Sequence, residues 1–537
     1  MKKITKTTLI TTLALFGLSN FANAQQFFKD LDTVSYYNSN PDQFINVNGT
    51  MYIHTKARGY NNQIWKSDGT AAGTVLLKDN IISSNQTTPV QMFNMNNTLY
   101  FFVNPNVAPY PAQLNYATLW KSDGTPSGTM LIDSLTTNSP FADPSHAQPR
   151  NFTVLGNKLF FQMGKGNGLE LWVTDGSVGG AHEVIDLFPG TTSGISDQPM
   201  AAYNGKLYFG ATPTLDDFEL YTSDGTAAGT VLVKDIDVNN TVTRSSNPTN
   251  FIVYNNELYF YALSGVTGSS NGTTDMWKTN GTAAGTMLVA VGQFGAGQAI
   301  FKNELYFIRN TGLWKTNGTA GGTVFVTDSV GVIAGANSNY LIASFATSIS
   351  TPPYIKQHYR RTDGATATTV STNVGYGVSF TVLNDIMYYN GVGNGLWMSD
   401  GTVSGSGQLA TNLSAYFFVF NNNLYYNGYT TNAQNSSAGY GSELWWLNGS
   451  VATGTTKVNN EQNISVYPNP STGILSIEAP LKENASVKIY NSAGMHIATE
   501  TITQTKTLDL SALPNGIYVL QFVSEKTTST QKIIINK

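Results

Sequence analysis

Short apolar runs of four to six residues, each closed off by Asn, Gly or Asp, recur down almost the whole chain. One stretch shows the succession. Phe251-Ile252-Val253-Tyr254 is apolar, Asn255-Asn256 makes a turn, and Leu258-Tyr259-Phe260-Tyr261 returns. A polar loop leads to Met276-Trp277-Lys278, and a second turn, Asn280-Gly281-Thr282, opens into Thr286-Met287-Leu288-Val289. Runs this short, rich in aromatic and β-branched side chains and bounded by turn formers, predict strands rather than helices. The Asn/Gly pairs at 96–97, 156–157, 204–205 and 255–256 suit hairpin turns that need positive φ. Each succession therefore predicts a four-stranded antiparallel meander.

The runs do not alternate. Leu99-Tyr100-Phe101-Phe102, Leu159-Phe160-Phe161 and Tyr416-Phe417-Phe418-Val419 are apolar on both faces, whereas a sheet with one wet face would alternate. Both faces must be covered, and the neighbouring unit is the natural cover. Small sheets stacked face to face around an axis are the blades of a β-propeller.

One phrase marks every unit. Its clearest form is Leu119-Trp120-Lys121-Ser122-Asp123-Gly124-Thr125, and equivalents centre on Trp65, Trp172, Tyr221, Trp277, Trp314, Arg360, Trp397 and Trp445. The nine aligned glycines run from Gly69 to Gly449 at a spacing of about 48 residues, within the range of propeller arrays. The ring residue reads as a wedge between units; burying one indole is worth about 4–6 kcal/mol as an upper bound. In the turn, Asp68, Asp123, Asp175, Asp224 and Asp400 can accept backbone N–H bonds while Gly takes a conformation that other residues resist. Asn stands in that place at 280, 317 and 448, which suits a turn cap and not a catalytic carboxylate.

The ends carry their own signals. Lys2, Lys3 and Lys6, an apolar stretch from Leu9 to Leu18 and Ala22-Asn23-Ala24 have the form of a secretory signal cleaved before Gln25; the apolar stretch is short of the ~20 residues a span requires. Phe27-Phe28-Lys29-Asp30-Leu31-Asp32 matches the fourth strand Val231-Leu232-Val233-Lys234-Asp235-Ile236-Asp237. A stray fourth strand at the start of the mature chain predicts that it completes the last unit. After Asn459 the phrase ceases and a compact set of about seven short strands follows, the pattern of a small sandwich.

The expectation is all-β: a signal peptide at 1–24, one large β-propeller of eight or nine four-stranded blades over 25–459, and a small C-terminal β-sandwich over 460–537. The count is left at eight or nine because the seventh copy carries Arg360 in place of Trp.

The phrase resembles the ELWxxDGT repeat of secreted bacterial proteins; Glu170-Leu171-Trp172-Val173-Thr174-Asp175-Gly176 and Glu443-Leu444-Trp445 carry its start. The resemblance covers roughly 27–458 and implies a repeat architecture and export, with no agreed catalytic residues. The last eighty residues resemble the C-terminal sorting domain of type IX secretion cargo in Bacteroidetes. The matching residues are Tyr467-Pro468-Asn469-Pro470 with Gly473, Val487-Lys488-Ile489-Tyr490-Asn491 with Gly494, and Leu508-Asp509-Leu510-Ser511. Leu513-Pro514-Asn515-Gly516-Ile517-Tyr518 and the tail from Lys532 to Lys537 complete the set. This resemblance implies the type IX outer-membrane machinery as a partner, removal of the domain, and release or surface attachment.

Composition narrows the chemistry. Of 537 residues only 12% are charged and the net charge is -4, against a usual charged share of roughly 25%. Nucleic acid is not an expected partner. No later segment reads as transmembrane. The absence of cysteine removes disulfides, thiolate metal sites, cysteine nucleophiles and a lipoprotein anchor. His54, His146, His182, His358 and His496 show no ligand spacing, so no metal or other cofactor is expected. Gly268-Ser269-Ser270-Asn271-Gly272 has the letters of a nucleophile elbow without the helix that should follow. Asp235-Ile236-Asp237-Val238-Asn239 hints at calcium but lacks the closing Glu, and Gly391-Val392-Gly393-Asn394-Gly395 lacks a dinucleotide-binding context.

No catalytic constellation emerges. Tyr110, Tyr116, Tyr429, Tyr440 and Trp446 are expected on the variable loops between second and third strands, where they can stack on an extracellular glycan or protein ligand or else cap the strand ends. The reading is a secreted or surface binding protein, with an extracellular polysaccharide hydrolase or lyase as the alternative and a purely structural surface-layer component as a third possibility.

Overall fold

In the computed structural model the described residues are 25–31, 39–57, 61–79, 81, 91–103, 116–136, 148–164, 168–237, 245–264, 274–319, 321–336, 338–348, 355–364, 367–374, 380–391, 395–399, 406–410, 413–428, 442–448, 465–468, 471–478, 485–491, 496–502, 505–523 and 528–537. The chain divides into two compact units, Met1–Thr453 and Gly454–Lys537, a few residues before the break expected at 459/460.

The first unit is all-β, with nine four-stranded antiparallel sheets among the described residues. Sheet 1 comprises Pro41–Val47, Thr50–Ala57, Asn61–Ser67 and Val75–Lys78, paired in chain order. Sheets 2 to 8 repeat this meander over 91–136, 150–185, 201–234, 249–290, 294–327, 332–374 and 380–410. The degenerate seventh copy still forms a four-stranded sheet, with Arg360 opposite Ala343 and Thr369.

Local chemistry accounts for the turns. Asn96-Asn97, Asn204-Gly205, Asn255-Asn256 and Asn421-Asn422 all have positive φ at both central positions, the conformation whose twist matches paired strands. At 156–157 only Gly156 does so.

Sheet 9 takes three strands from one end of the unit and the fourth from the other. Leu413–Phe420, Asn423–Gly428 and Glu443–Asn448 are completed by Gln25–Lys29, which runs antiparallel to the third with Gln25 opposite Leu447 and Phe27 opposite Trp445. The first strands of successive sheets lie against one another, and that of sheet 9 lies against that of sheet 1. The arrangement is propeller-like.

The core of this unit is a series of apolar layers between sheets. Phe101 faces sheet 1 with Tyr52, Ile64 and Leu77, while Tyr100 and Phe102 face sheet 3 with Leu159, Phe161 and Trp172. The absence of alternation in the inner strands thus has a direct cause: second and third strands such as Thr98–Val103, Lys158–Gly164 and Leu169–Thr174 bury both faces, whereas fourth strands such as Val75–Lys78 and Val231–Lys234 are partly exposed. The layer joining sheets 9 and 1 holds Phe28, Leu31, Met51, Ile53, Trp65, Phe420, Tyr425 and Leu444.

The second unit has a three-stranded sheet (Ser465–Tyr467, Ile474–Glu478, Thr505–Asp509) and a four-stranded one (His496–Ile502, Ala485–Asn491, Gly516–Val523, Thr528–Ile535). Leu475, Ile477 and Leu508 from the first share one apolar core with Val487, Ile489, Leu520, Phe522 and Ile533 from the second.

Candidate functional site

The repeated phrase folds into one hydrogen-bonded turn. In sheet 1, Asp68 Oδ1 accepts from the backbone N–H and hydroxyl of Thr70, both at 2.8 Å. The Thr70 hydroxyl accepts from Gly73 N at 2.9 Å, and Ser67 Oγ accepts from Gly69 N at 3.0 Å. The same bonds recur at Asp123 and Asp224; at Asp175 the N–H and hydroxyl of Ser177 donate to the carboxylate in the same way, while Gly180 N donates to Ser177 O at 3.2 Å. These bonds, the Thr70 hydroxyl's first and its N–H second, hold the exposed Asp68 carboxyl below its usual range. Asn280 and Asn317 accept the same pair of bonds, so the turn needs an oxygen and not a charge. Asp400 lies outside the described residues.

The turn glycine meets the preceding sheet. A Cβ on Gly124 (φ +87°) would lie 2.8 Å from the Tyr52 hydroxyl, and one on Gly281 (φ +95°) 2.5 Å from that of Tyr208. Gly69 meets Tyr425 of sheet 9, whose hydroxyl donates to Gly69 O at 3.1 Å. Gly124 and Gly281 require glycine twice, for φ and for the close approach, and Gly69 requires it for its φ of +93°.

The ring residues also face the preceding sheet. Trp65, Trp120, Trp172, Tyr221, Trp277, Trp314, Trp397 and Trp445 each pack in the layer that joins their own sheet to the one before. The indole N–H of Trp65 donates to Gln63 Oε1, that of Trp120 to Thr118 Oγ1 and that of Trp172 to Met163 O, at 3.1–3.2 Å.

A second set of residues was missed as a site, although two of them stand in the quoted motif. Glu170, Glu219 and Glu443 lie two positions before the ring residue, buried in the third strand. Each carboxylate fastens the segment that crosses to the next sheet. Glu219 accepts from Ile236 N, Ser246 N and Ser246 Oγ at 2.6–3.1 Å, and Glu170 from Leu187 N and Gly194 N. Glu443 accepts from Leu31 N at 3.1 Å, Ser39 N at 3.0 Å and Ser39 Oγ at 2.5 Å, and so ties the N-terminal segment to sheet 9. Burial outweighs the hydrogen bonds and pushes Glu170 up to about 8 and Glu219 and Glu443 to about 7. The legible signal is an acid in an otherwise apolar strand. Asp235 and Asp237, the calcium hint, flank Ile236 in the segment that Glu219 fastens. Burial raises the nearby Asp217 carboxyl, and the charges of Asp235 and Asp237 add to this.

The expected ligand aromatics fare differently. Tyr110, Tyr429 and Tyr440 lie outside the described residues, and Tyr116 opens the strand Tyr116–Ser122 with its side chain outside them. Trp446 is not a loop residue: it lies in the strand Glu443–Asn448, with its ring 5.8 Å from Phe28 and 6.3 Å from Tyr425. The unbroken pairing of this strand to its neighbour puts Trp446 opposite Tyr425. His54 is buried, with Nδ1 2.5 Å from Asp42 Oδ1 and Nε2 3.1 Å from Asn62 Oδ1. Burial raises the Asp42 carboxyl, but the hydrogen bonds and charges of His54 and Lys56 bring it below the usual range. Among the described residues no group of three or more His, Asp or Glu side chains is placed to hold a metal ion, and no helix is long and apolar enough to cross a membrane.

In the C-terminal unit, Tyr467 hydrogen-bonds Glu478, and the Tyr518 hydroxyl donates to Pro514 O at 2.9 Å. A Cβ on Gly473 (φ +116°) would lie 2.7 Å from Ser511 Cα, while Gly516 leaves room for one. Pro468 is exposed beside Tyr467; Asn469, Pro470 and Gly494 lie outside the described residues.

A search of curated proteins finds no match. Among solved structures, the chain is similar to PorZ, a surface component of the type IX secretion system of Porphyromonas gingivalis, at 14% identity and a TM-score of 0.34, covering 94% of this chain and 70% of that one. It is also similar to the extracellular domain of the putative hybrid two-component system BT3049 of B. thetaiotaomicron (11% identity, TM-score 0.31, 92% and 78% covered). The tricorn protease follows at 9% identity and a TM-score of 0.29, with 90% and 55% covered. Similarities this distant carry no functional argument. The family comparison is specific: residues 465–536 match the secretion system C-terminal sorting domain. The C-terminal unit is thus a type IX sorting domain, and the protein is exported across the outer membrane to the cell surface or the medium.

Proposed function

We propose that the first unit is a closed nine-bladed β-propeller that binds an extracellular ligand, and that the second is a β-sandwich acting as its export signal. Nine sheets, mutual contact of their first strands and a last sheet completed by Gln25–Lys29 support closure. A signal peptide at 1–24 would deliver the chain to the periplasm before the type IX step.

The observation that carries the binding reading is the division of labour within each sheet. Repeated side chains hold turns, layers and crossovers, while the connection between second and third strands varies freely, from Asn310–Thr311 to the stretch 429–442. A rigid ring bearing unequal loops suits adhesion or glycan recognition. A hydrolase or lyase is less well supported. The acids raised toward neutrality, Glu170, Glu219 and Glu443, have the pKa expected of a general acid, yet their oxygens already accept from crossover groups.

The test has two parts. Mass spectrometry of the mature protein from the native host should find an N-terminus at Gln25, loss of everything after about residue 460, and the remainder in the surface or medium fraction. The mature protein on glycan and cell-surface arrays should then bind a defined set of ligands; a folded protein that binds none of them overturns the binding reading.

A further inference from the structure

Sheet 6 departs from the repeat at one corner. Its second and third strands, Glu304–Arg309 and Gly312–Thr316, are joined by only Asn310–Thr311, both at positive φ. Gly312 stands where Glu170, Glu219 and Glu443 stand in their sheets, so this position has no carboxylate to fasten the crossover. A Cβ there would lie 2.9 Å from Phe325 Cε2 and 3.4 Å from Trp314 Nε1. With no side chain in the way, the Phe325 ring reaches over to Trp314, 5.5 Å away in an edge arrangement, and remains 54% exposed.

Arg309 lies on the same face, opposite Gly312. Its guanidinium carbon sits 5.0 Å from the centre of the Trp314 ring. Its Nε is buried with no hydrogen-bond partner, and no carboxylate pairs with it among the described residues. Arg150, by contrast, pairs with Asp197 at 2.9 Å. Gly292 closes over the Arg309 side chain: a Cβ on it would lie 2.7 Å from Nε. Asn310 and Gln293 brace the corner through two bonds of 2.7 and 2.9 Å.

A guanidinium centred 5.0 Å from an indole, with its Nε buried and unpartnered, is a costly arrangement if nothing completes it. It is also a preorganised one. The planar fork matches a carboxylate with two parallel bonds, and stacking reduces the entropy lost when they form. The exposed aromatic beside it offers an apolar face to the C–H side of a sugar ring.

We propose that Arg309, Trp314 and Phe325 form a subsite for a uronic-acid residue of an acidic glycan, with the sugar carboxylate on Arg309 and its ring against Phe325. This rests on the binding reading above and adds the ligand's chemistry and position. The test uses the mature chain and follows tryptophan fluorescence or calorimetry with three probes: an oligogalacturonate, a neutral oligosaccharide of the same length, and succinate.

The acidic oligosaccharide should bind at least about tenfold more tightly than either of the others, and added salt should weaken it. Arg309→Gln should lose about tenfold or more for the acidic probe alone, Arg309→Lys should recover only part, and Phe325→Ala should weaken any sugar that binds. Circular dichroism and thermal unfolding of each variant show that the fold is kept. Succinate binding as tightly as the oligogalacturonate overturns the glycan assignment in favour of a peptide or other free carboxylate. Equal binding of acidic and neutral sugars, or an Arg309→Gln variant indistinguishable from wild type, overturns the subsite and leaves the binding reading standing. Absence of binding by all three probes also overturns it, while the arrays judge the binding reading separately.

Discussion

Replacing Glu443 by Gln should make the seam between sheets 9 and 1 less sensitive to pH. Burial holds this carboxyl at about 7 in the folded protein, against a reference value of 4.5. A carboxyl raised by folding takes up a proton more readily when folded than when unfolded. Its contribution to stability is therefore complete below about pH 4.5 and is lost as pH rises through 7. The rise corresponds to a loss on the order of 3 kcal/mol across that window, at about 1.4 kcal/mol per unit. The loss is local, because Glu443 receives Leu31 N, Ser39 N and Ser39 Oγ. Amide hydrogen exchange of a peptide covering 25–31 reads it directly. In the wild type, protection corrected for intrinsic exchange should fall between pH 5 and 8, whereas in Glu443→Gln it should be lower at pH 5 and much flatter. Glu443→Ala strands three buried donors and should be the weakest throughout, by about 3 kcal/mol or more. A wild type and a Glu443→Gln variant with the same pH profile would refute the assignment of a proton to this side chain.

Other substitutions probe the turns and the latch. Asp68→Asn should leave the urea unfolding midpoint unchanged, because Asn280 and Asn317 make the same turn, whereas Asp68→Ala should lower it. Gly124→Ala must adopt φ +87° and displace the Tyr52 hydroxyl, so a loss of about 2 kcal/mol or more is expected, while Gly205→Ala, with open space around its Cβ, should suffer the backbone strain alone. Phe28→Ala should cost about 3–5 kcal/mol and speed proteolysis near the N-terminus, since this ring is 8% exposed between Tyr425 and Trp446.

Much of this organisation is written locally. The Asn-Asn and Asn-Gly turns, the double-sided apolar runs and the Asp-Gly-Thr phrase each act within a few residues, and the four-stranded units can be read from them. The match between Phe27–Asp32 and a fourth strand anticipated that Gln25–Lys29 would complete sheet 9. The sorting domain was legible because its motifs occur in a fixed order over residues 465–536. What could not be read depends on distant partners. Glu443 is one letter in a motif until Leu31 N is brought to it from 412 residues away. Trp446 looks like a loop aromatic until the register with Tyr425 places it in a strand. Arg309 has no meaning in sequence apart from Gly292, Trp314 and Phe325, which a hairpin and a crossover deliver to it.

The pairing of Gln25–Lys29 with Glu443–Asn448 joins the two ends of the first unit through backbone hydrogen bonds. The first described strand of this unit is thereby fixed to its last sheet. A single protease nick in a surface connection would leave both fragments held, each by the sheets on either side of the cut and by the shared ninth sheet. For a molecule exported across the outer membrane, the join would turn one peptide-bond scission from loss of the protein into a tolerated scar. It also means that the points at which the chain enters and leaves this sheet are not privileged. The chain could be reopened at another crossover, with Asn448 linked by a short turn to Gln25, and the ninth sheet would then form from consecutive residues.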